Sequence, residues 1–474
     1  GRKKPPARSL RKKAMSPALA FPKSVLAAAA LLGYGIAPIA GDVAVKESAA
    51  DFLARRQTSQ LARGEEVAQV EVFRGQFYMY DVDEYEPRFS GSLKDCTRKG
   101  GDYMMVEQLQ SHPKRTFNPD EADVVVIPCL FESFRRCTST NHAEKPPDPN
   151  HEEESAQVSL LQHQNPHPED FEEVPWVKAF DYDTAICLDR VVRNPRYWQK
   201  KGQDHLWVVA DWAMNFGRVI ESERFQNMTV GRIEIVDEEE GKVSNRKLGM
   251  NQSRCSVVVP YASDIGYTAD FSREPSFEEW SQRPSLVSFR FEDRTYALFC
   301  KSAICPGAYD ATPLRRQALE FASKLSELDN ATVAMERVPR EQYFDEVHNS
   351  KFCLIIRGDT PSTHSFYDAL AANCLPIMIS DRWQKVATPF SHGQNGTSTG
   401  GLDHKAFTVH VTEKRWMERL DDVIAQIRAL VDNPYATNIL YQSMLKHRKG
   451  LLWSMPGNNV PANTLEAARQ CINS

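Results

Sequence analysis

Residues 358–381 read GDTPSTHSFYDALAANCLPIMISD, and residues 351–357 directly before them read KFCLIIR. An apolar run of strand length passes into a polar, turn-rich loop, then a short amphipathic helix, then a second apolar run. Apolar runs without polar alternation are the pattern of strands buried on both faces, which are parallel strands joined through helices. Within the loop, Thr360 is predicted as the helix N-cap and Pro361 as the first helical residue. A helix start presents unpaired N–H groups and the positive end of a dipole, which suits an anion. His364 and Asp368 are four apart and share one helical face. Two readings stay open. In one, phosphate sits at the helix start and Asp368 takes the hydroxyls of a ribose, so that the stretch holds a nucleotide diphosphate. In the other, this is an ordinary capped helix and Asp368 makes a surface salt bridge.

The same alternation extends outward in both directions. Strands are expected at 76–83, 122–130, 205–210 and 256–260, with helices at 103–109, 174–190 and 195–199. After a polar, Pro-containing stretch at 272–284, strands are expected at 286–291 and 331–337, near Phe352 and Leu375, and at 407–411. Helices fall at 312–328, 339–347, 416–432, 436–453 and 462–473. Two halves of strand–helix alternation imply two α/β sheets with helices on both faces. Ligands then belong at the carboxyl ends of the strands, in the cleft between the halves. The division is a basic tail at 1–24, a signal anchor at 25–40, a stem at 41–69, an N-terminal domain at 70–280, a C-terminal domain at 281–455 and a final helix at 456–474.

The chain has 474 residues, 41% hydrophobic and 26% charged, which is ample for more than one packed domain. A net charge of -5 gives no sign of nucleic acid as a partner. Ten cysteines without CxxC clusters argue against a structural zinc site. Basic clusters at Arg2–Lys4 and Arg11–Lys13 precede the apolar run VLAAAALLGYGIAPIA at 25–40, which reads as an uncleaved anchor with the bulk of the chain in a lumen; a disordered Ala-rich tail is the alternative. Sequons at Asn227, Asn251, Asn330 and Asn395 agree with a secretory route. There some cysteines should pair, Cys300 with Cys305 first, while Cys129, Cys353 and Cys374 sit in apolar strand patterns and read as buried thiols. The polar segment 141–168, with His142, His151, His163 and His167, reads as a solvated insertion rather than a metal tract.

Several segments, in order, resemble the exostosin family, glycosyltransferase family 47. They are QFYMYDVD at 76–83, RTFNPDEADVVVIP at 115–128, DHLWVVADWAMNFG at 204–217, CSVVVPY at 255–261, RPSLVSFRF at 283–291, LRRQALE at 314–320, and the block from REQYFDEVHNSKFCLIIRGD through NCLPIMISD ending at Asp381. The resemblance implies a GT-B fold: two Rossmann-like α/β domains facing across a cleft, with the donor held mainly by the C-terminal one. It implies a single-pass type II Golgi enzyme, or alternatively a secreted one, that transfers sugar with inversion from a nucleotide sugar, UDP-linked, to an oligo- or polysaccharide acceptor. It also allows homo- or hetero-oligomers and needs no obligatory cation. Donor contacts fall on Arg290, Arg316, Arg357, Gly358, Asp359, Thr360, Ser362, His364 and Asp368. Where family members commonly carry Arg, this chain has Ser365; His364, Arg357, Arg315 or Arg316 can replace its charge. Ala210 stands where the family has His, and Phe291 where it has Gly. An inverting transfer needs a base. Asp211, directly after the HLWVVA run, is the first candidate and Asp264 the second; Asp211 as a structural cap and Trp212 as core rather than acceptor platform are the alternatives. The losses leave a second function open, a catalytically weak subunit that binds glycan or supports a partner. A soluble phosphorylase fits the N-terminal run and the sequons poorly.

Overall fold

A computed structural model of the chain describes residues 73–94, 96, 99–133, 136–137, 182–210, 227–235, 255–291, 311–326, 331–334, 338–358, 361–394 and 397–474. The apolar run at 25–40, the stem, the histidine-containing segment, Asp211, Trp212, Asp359, Thr360, Cys300 and Cys305 lie outside these.

The strands build two sheets. The first takes β1 (Phe77–Met79), β2 (Val124–Ile127), β3 (His205–Val208), β4 (Thr229–Arg232) and β5 (Cys255–Val258) in that order, all parallel. The second takes β6 (Ser285–Arg290), β7 (Ala331–Ala334), β8 (Ser350–Ile356), β9 (Leu375–Ile379) and β12 (Val409–His410), parallel in the order β12-β9-β8-β6-β7. Val124–Ile127 and Leu375–Ile379 are buried at every position, which is why their sequences carry no polar alternation.

One face of the first sheet, with Val125, Ile127, Trp207 and Val230, packs on Leu188 and Val191 of α2 (Tyr182–Arg193). The opposite face, with Val124, Val126, Leu206 and Val257, belongs to a larger core shared with α1 (Gly101–Gln110) and with α9 (Val460–Asn473), the last helix of the chain. Between β6 and that last helix run α3 (Thr312–Ser326), α4 (Arg340–His348), α5 (His364–Ala371), α6 (Glu413–Glu418), α7 (Leu420–Val431) and α8 (Pro434–Leu451).

Four details depart from the sequence expectations. First, α5 begins at His364, not at Pro361; its N-cap is Thr363, whose backbone is extended at φ -150°, ψ 139°. The residues before it are held out of the helix. Ser362 donates through its backbone N–H and its hydroxyl to Glu234 Oε2, and the Ser380 hydroxyl donates to the Pro361 carbonyl. Second, the helix expected at 416–432 is two helices, α6 and α7, broken at Arg419 with ψ 50°. Third, β10 (Ser391–Gln394) and β11 (Thr397–Gly400), from the second half, add antiparallel strands to the edge of the first sheet beside β5. Fourth, Cys129, Cys353 and Cys374 are not thiols. Disulfides join Cys129 to Cys187, Cys353 to Cys374, Cys255 to Cys471 and Cys96 to Cys137. An apolar setting suits a half-cystine as well as a thiol, so strand pattern alone does not separate the two.

Candidate functional site between the two sheets

The carboxyl end of β5 leads into residues 259–264 and a 3₁₀ turn at Ile265–Tyr267, with Asp264 at its N-cap. This loop faces α4 and α5 of the second half. The Ser263 hydroxyl donates to Asp368 Oδ1 at 2.7 Å and the Ile265 N–H donates to the same oxygen at 3.2 Å. Tyr343 of α4 donates to Asp368 Oδ2 at 3.3 Å. Asp368 is 0% exposed, so it makes no surface salt bridge; its carboxylate ties the halves together. Burial, and next the charge of Asp368, push the Tyr343 hydroxyl well above the usual phenol range, so it remains a donor.

His364, the first residue of α5, is 43% exposed and lies between two carboxylates. Its Nδ1 is 3.8 Å from Asp368 Oδ2 and 3.5 Å from the Ser365 hydroxyl; its Nε2 is 4.0 Å from Asp264 Oδ2. Asp264 is itself held by charge and by the main chain. Arg136 Nη1 lies 3.3 Å from its Oδ1, and Arg340 donates to its carbonyl at 2.8 Å. Arg136 also donates to the Ala262 carbonyl and pairs with Glu132, which fixes the loop against the end of β2.

A second group stands at the end of β8. Arg357 is buried and its Nε donates to Glu413 Oε1 at 2.9 Å. At Gly358 an added Cβ would lie 3.0 Å from Arg315 Nη2, so the absence of a side chain lets that guanidinium reach the end of the strand. Arg290, at the end of β6, is engaged by both oxygens of Glu346 at 2.6 Å, and Arg316 lies on the exposed side of α3. The structure thus brings Asp264, His364 and Asp368 together, places Ser362 just before them on Glu234, and commits Arg290 to an ion pair.

Sequence reading missed Ser263, Tyr343, Arg136 and Glu234. Tyr343 carried a signal, since REQYFDEV at 340–347 places it on one helical face with Glu346 and Val347. Ser263 and Glu234 carried none, because each acts on a residue distant in the chain, and Arg136 carried only its i,i+4 spacing from Glu132. Arg232, at the end of β4, was missed too. It is 1% exposed, its Nε and Nη2 have no hydrogen-bond acceptor among the described residues, and burial pulls its pKa down to about 10 against the opposing charge of Glu234. Ala210, next to Asp211, takes a left-handed φ of 49°, a strained backbone for a residue with a Cβ.

Residues 74–427 match the family model described as the Exostosin GT47 domain, and the chain belongs to that family of glycosyltransferases. Among curated relatives, Exostosin-1a of Danio rerio is 42% identical over 52 residues, 11% of this chain and 7% of that protein. Exostosin-1 of Bos taurus is 41% identical over 49 residues, 10% of this chain and 6% of the relative. The match therefore spans a small part of those proteins. Among solved structures, the N-terminal domain of Candida albicans trehalose-6-phosphate phosphatase superposes with a TM-score of 0.34 at 12% identity, over 85% of this chain and 97% of the other. S. aureus MnaA with UDP superposes with a TM-score of 0.28 at 11% identity, over 79% and 96%. Likenesses of this size carry no weight for fold or ligand.

Proposed function

We propose that this chain is an inverting glycosyltransferase of GT-B architecture, moving a sugar from a nucleoside diphosphate donor to a glycan acceptor. The observation that carries this reading is an acid–histidine–acid cluster shared by the two halves, with Gly358, Arg315 and Arg357 at the end of β8 in the second. Charge building on the leaving diphosphate is offset by the start of α5 and by Arg315 and Arg357, without an obligatory cation. The acceptor lies on the side of the first sheet. Asp211 follows β3 and Asp264 follows β5, so both remain candidates for the acid–base group. The donor is expected to be UDP-linked, and Asp368 meets its ribose only when the halves part and Ser263 releases it. Donor entry and opening of the cleft are then one event. The N-terminal apolar run and the sequons fit a Golgi enzyme held as a type II protein, acting alone or as an oligomer.

Released nucleotide, measured across a panel of nucleotide sugars with the purified lumenal part, tests the reading. Turnover of one donor supports it. No turnover of any donor, with glycan binding retained, supports the second reading, a catalytically weak subunit. That alternative draws on Ser365 in place of the family's Arg and on the fully bonded carboxylate of Asp368.

A further inference from the structure

We infer that His364 is the proton acceptor of the transfer, with Asp264 and Asp368 as its flanking carboxylates; this rests on the transferase reading above. Three observations converge on it. His364 is the most open member of the cluster, at 43% exposed, whereas Asp264 is 14% exposed and Asp368 0%. Its two ring nitrogens face carboxylates supplied by different halves of the molecule, Nδ1 toward Asp368 at 3.8 Å and Nε2 toward Asp264 at 4.0 Å. And Asp368 Oδ2, the oxygen facing Nδ1, is held by Tyr343 of α4, so it can orient the imidazole while Oδ1, once Ser263 and Ile265 release it, meets the ribose; a buried carboxylate orients a catalytic histidine in the same way in general.

The separations are too long for hydrogen bonds, as is common before substrate draws such a site together. In the step, the acceptor O–H gives its proton to Nε2 and the oxygen lone pair bonds to the anomeric carbon. The bond from that carbon to the diphosphate oxygen breaks, and its electron pair leaves on the nucleoside diphosphate. The positive charge formed on the imidazole lies between two carboxylates, which is where electrostatic stabilisation is most useful. The other groups around it are Arg136 from the end of β2, Arg340 and Tyr343 from α4, and the Ser365 hydroxyl of α5. Both arginines are directed at Asp264.

The test compares wild type with His364→Ala, His364→Gln and Asp211→Asn in transfer rate, donor affinity and pH–rate profile. The expected result is a kcat lower by about a hundredfold or more in both His364 variants, with donor Kd within about twofold of wild type. The acid limb of the profile should be lost, and added imidazole should restore part of the rate to His364→Ala but not to His364→Gln, whose side chain fills the space. A His364→Ala enzyme with the wild-type rate and profile overturns the assignment. So does a loss of rate that follows a loss of donor binding, or a rate abolished in Asp211→Asn alone. A wild-type protein that turns over no donor overturns the transferase reading as well, so the two failures are distinguishable.

Discussion

The Ser263 hydroxyl and the Asp368 carboxylate meet at 2.7 Å across the boundary between the two sheets, and the carboxylate is wholly buried where they meet. Every neighbour at hydrogen-bond distance from that carboxylate is a donor: a hydroxyl, a backbone N–H and a phenol. In Asp368→Asn an amide keeps the shape, but one of its ends turns donors toward donors. The expected loss is about 2–3 kcal/mol of stability, read from urea unfolding monitored by tryptophan fluorescence. A midpoint equal to wild type would show that the contact does not hold the halves together.

Arg290 was expected at the donor, and it is bonded to Glu346 with the two side chains 11% and 15% exposed. Arg290→Met strands a shielded carboxylate and should cost about 2 kcal/mol, whereas Arg290→Met with Glu346→Leu should recover most of that. Donor affinity should not change in either. Calorimetry showing weaker donor binding at unchanged stability would return Arg290 to the donor site.

His404 is 1% exposed, neither ring nitrogen has a hydrogen-bond partner among the described residues, and burial pulls its pKa down to about 4, with the nearby His410 adding to the effect. The folded state therefore keeps it neutral where an unfolded chain, titrating near 6.5, would take a proton. Stability is unaffected above that value and falls as pH drops from about 6.5 toward 4, by ~3 kcal/mol in all. His404→Phe should flatten this part of the stability–pH curve in thermal melts. An unchanged acid slope in that variant would assign it to other groups.

The disulfide between Cys255 of β5 and Cys471 of α9 spans a sequence separation of 216. Replacing both by Ala should lower stability by about 2–5 kcal/mol, because the unfolded chain regains the freedom of a long loop. It should also raise amide exchange in residues 460–473 before the rest of the protein. Uniform exchange across the chain would show that the bond does not secure the last helix in particular.

The main strands were legible because a parallel strand must be apolar throughout, and VVVI at 124–127 and LPIMI at 375–379 carry that pattern openly. Strand β4 was not, since TVGR is short and ends in a buried arginine. The β10–β11 hairpin has a local signal, because Asn395–Gly396, part of a sequon, is also a strong two-residue turn dipeptide lying between its strands in sequence. At the site, the helix and its acid could be found locally, but the start of α5 could not, because Glu234 of the other half fixes it through Ser362. Partners from the other half leave no local pattern, and so Ser263 emerged only in three dimensions.

The first sheet is finished by pieces made late. Its outer strands lie at 391–400, and the helix covering one face, with its sulfur link to β5, lies at 460–473. A chain emerging from the ribosome therefore cannot close its first layer early. The edge of β5 stays open until residues 391–400 are made, and Cys255 stays unpaired with its native partner until Cys471 is made. Fragments ending before residue 391 should consequently be poorly soluble however complete their share of the first five strands, and pulse-chase trapping should find the Cys255 link forming only after Cys471 has emerged.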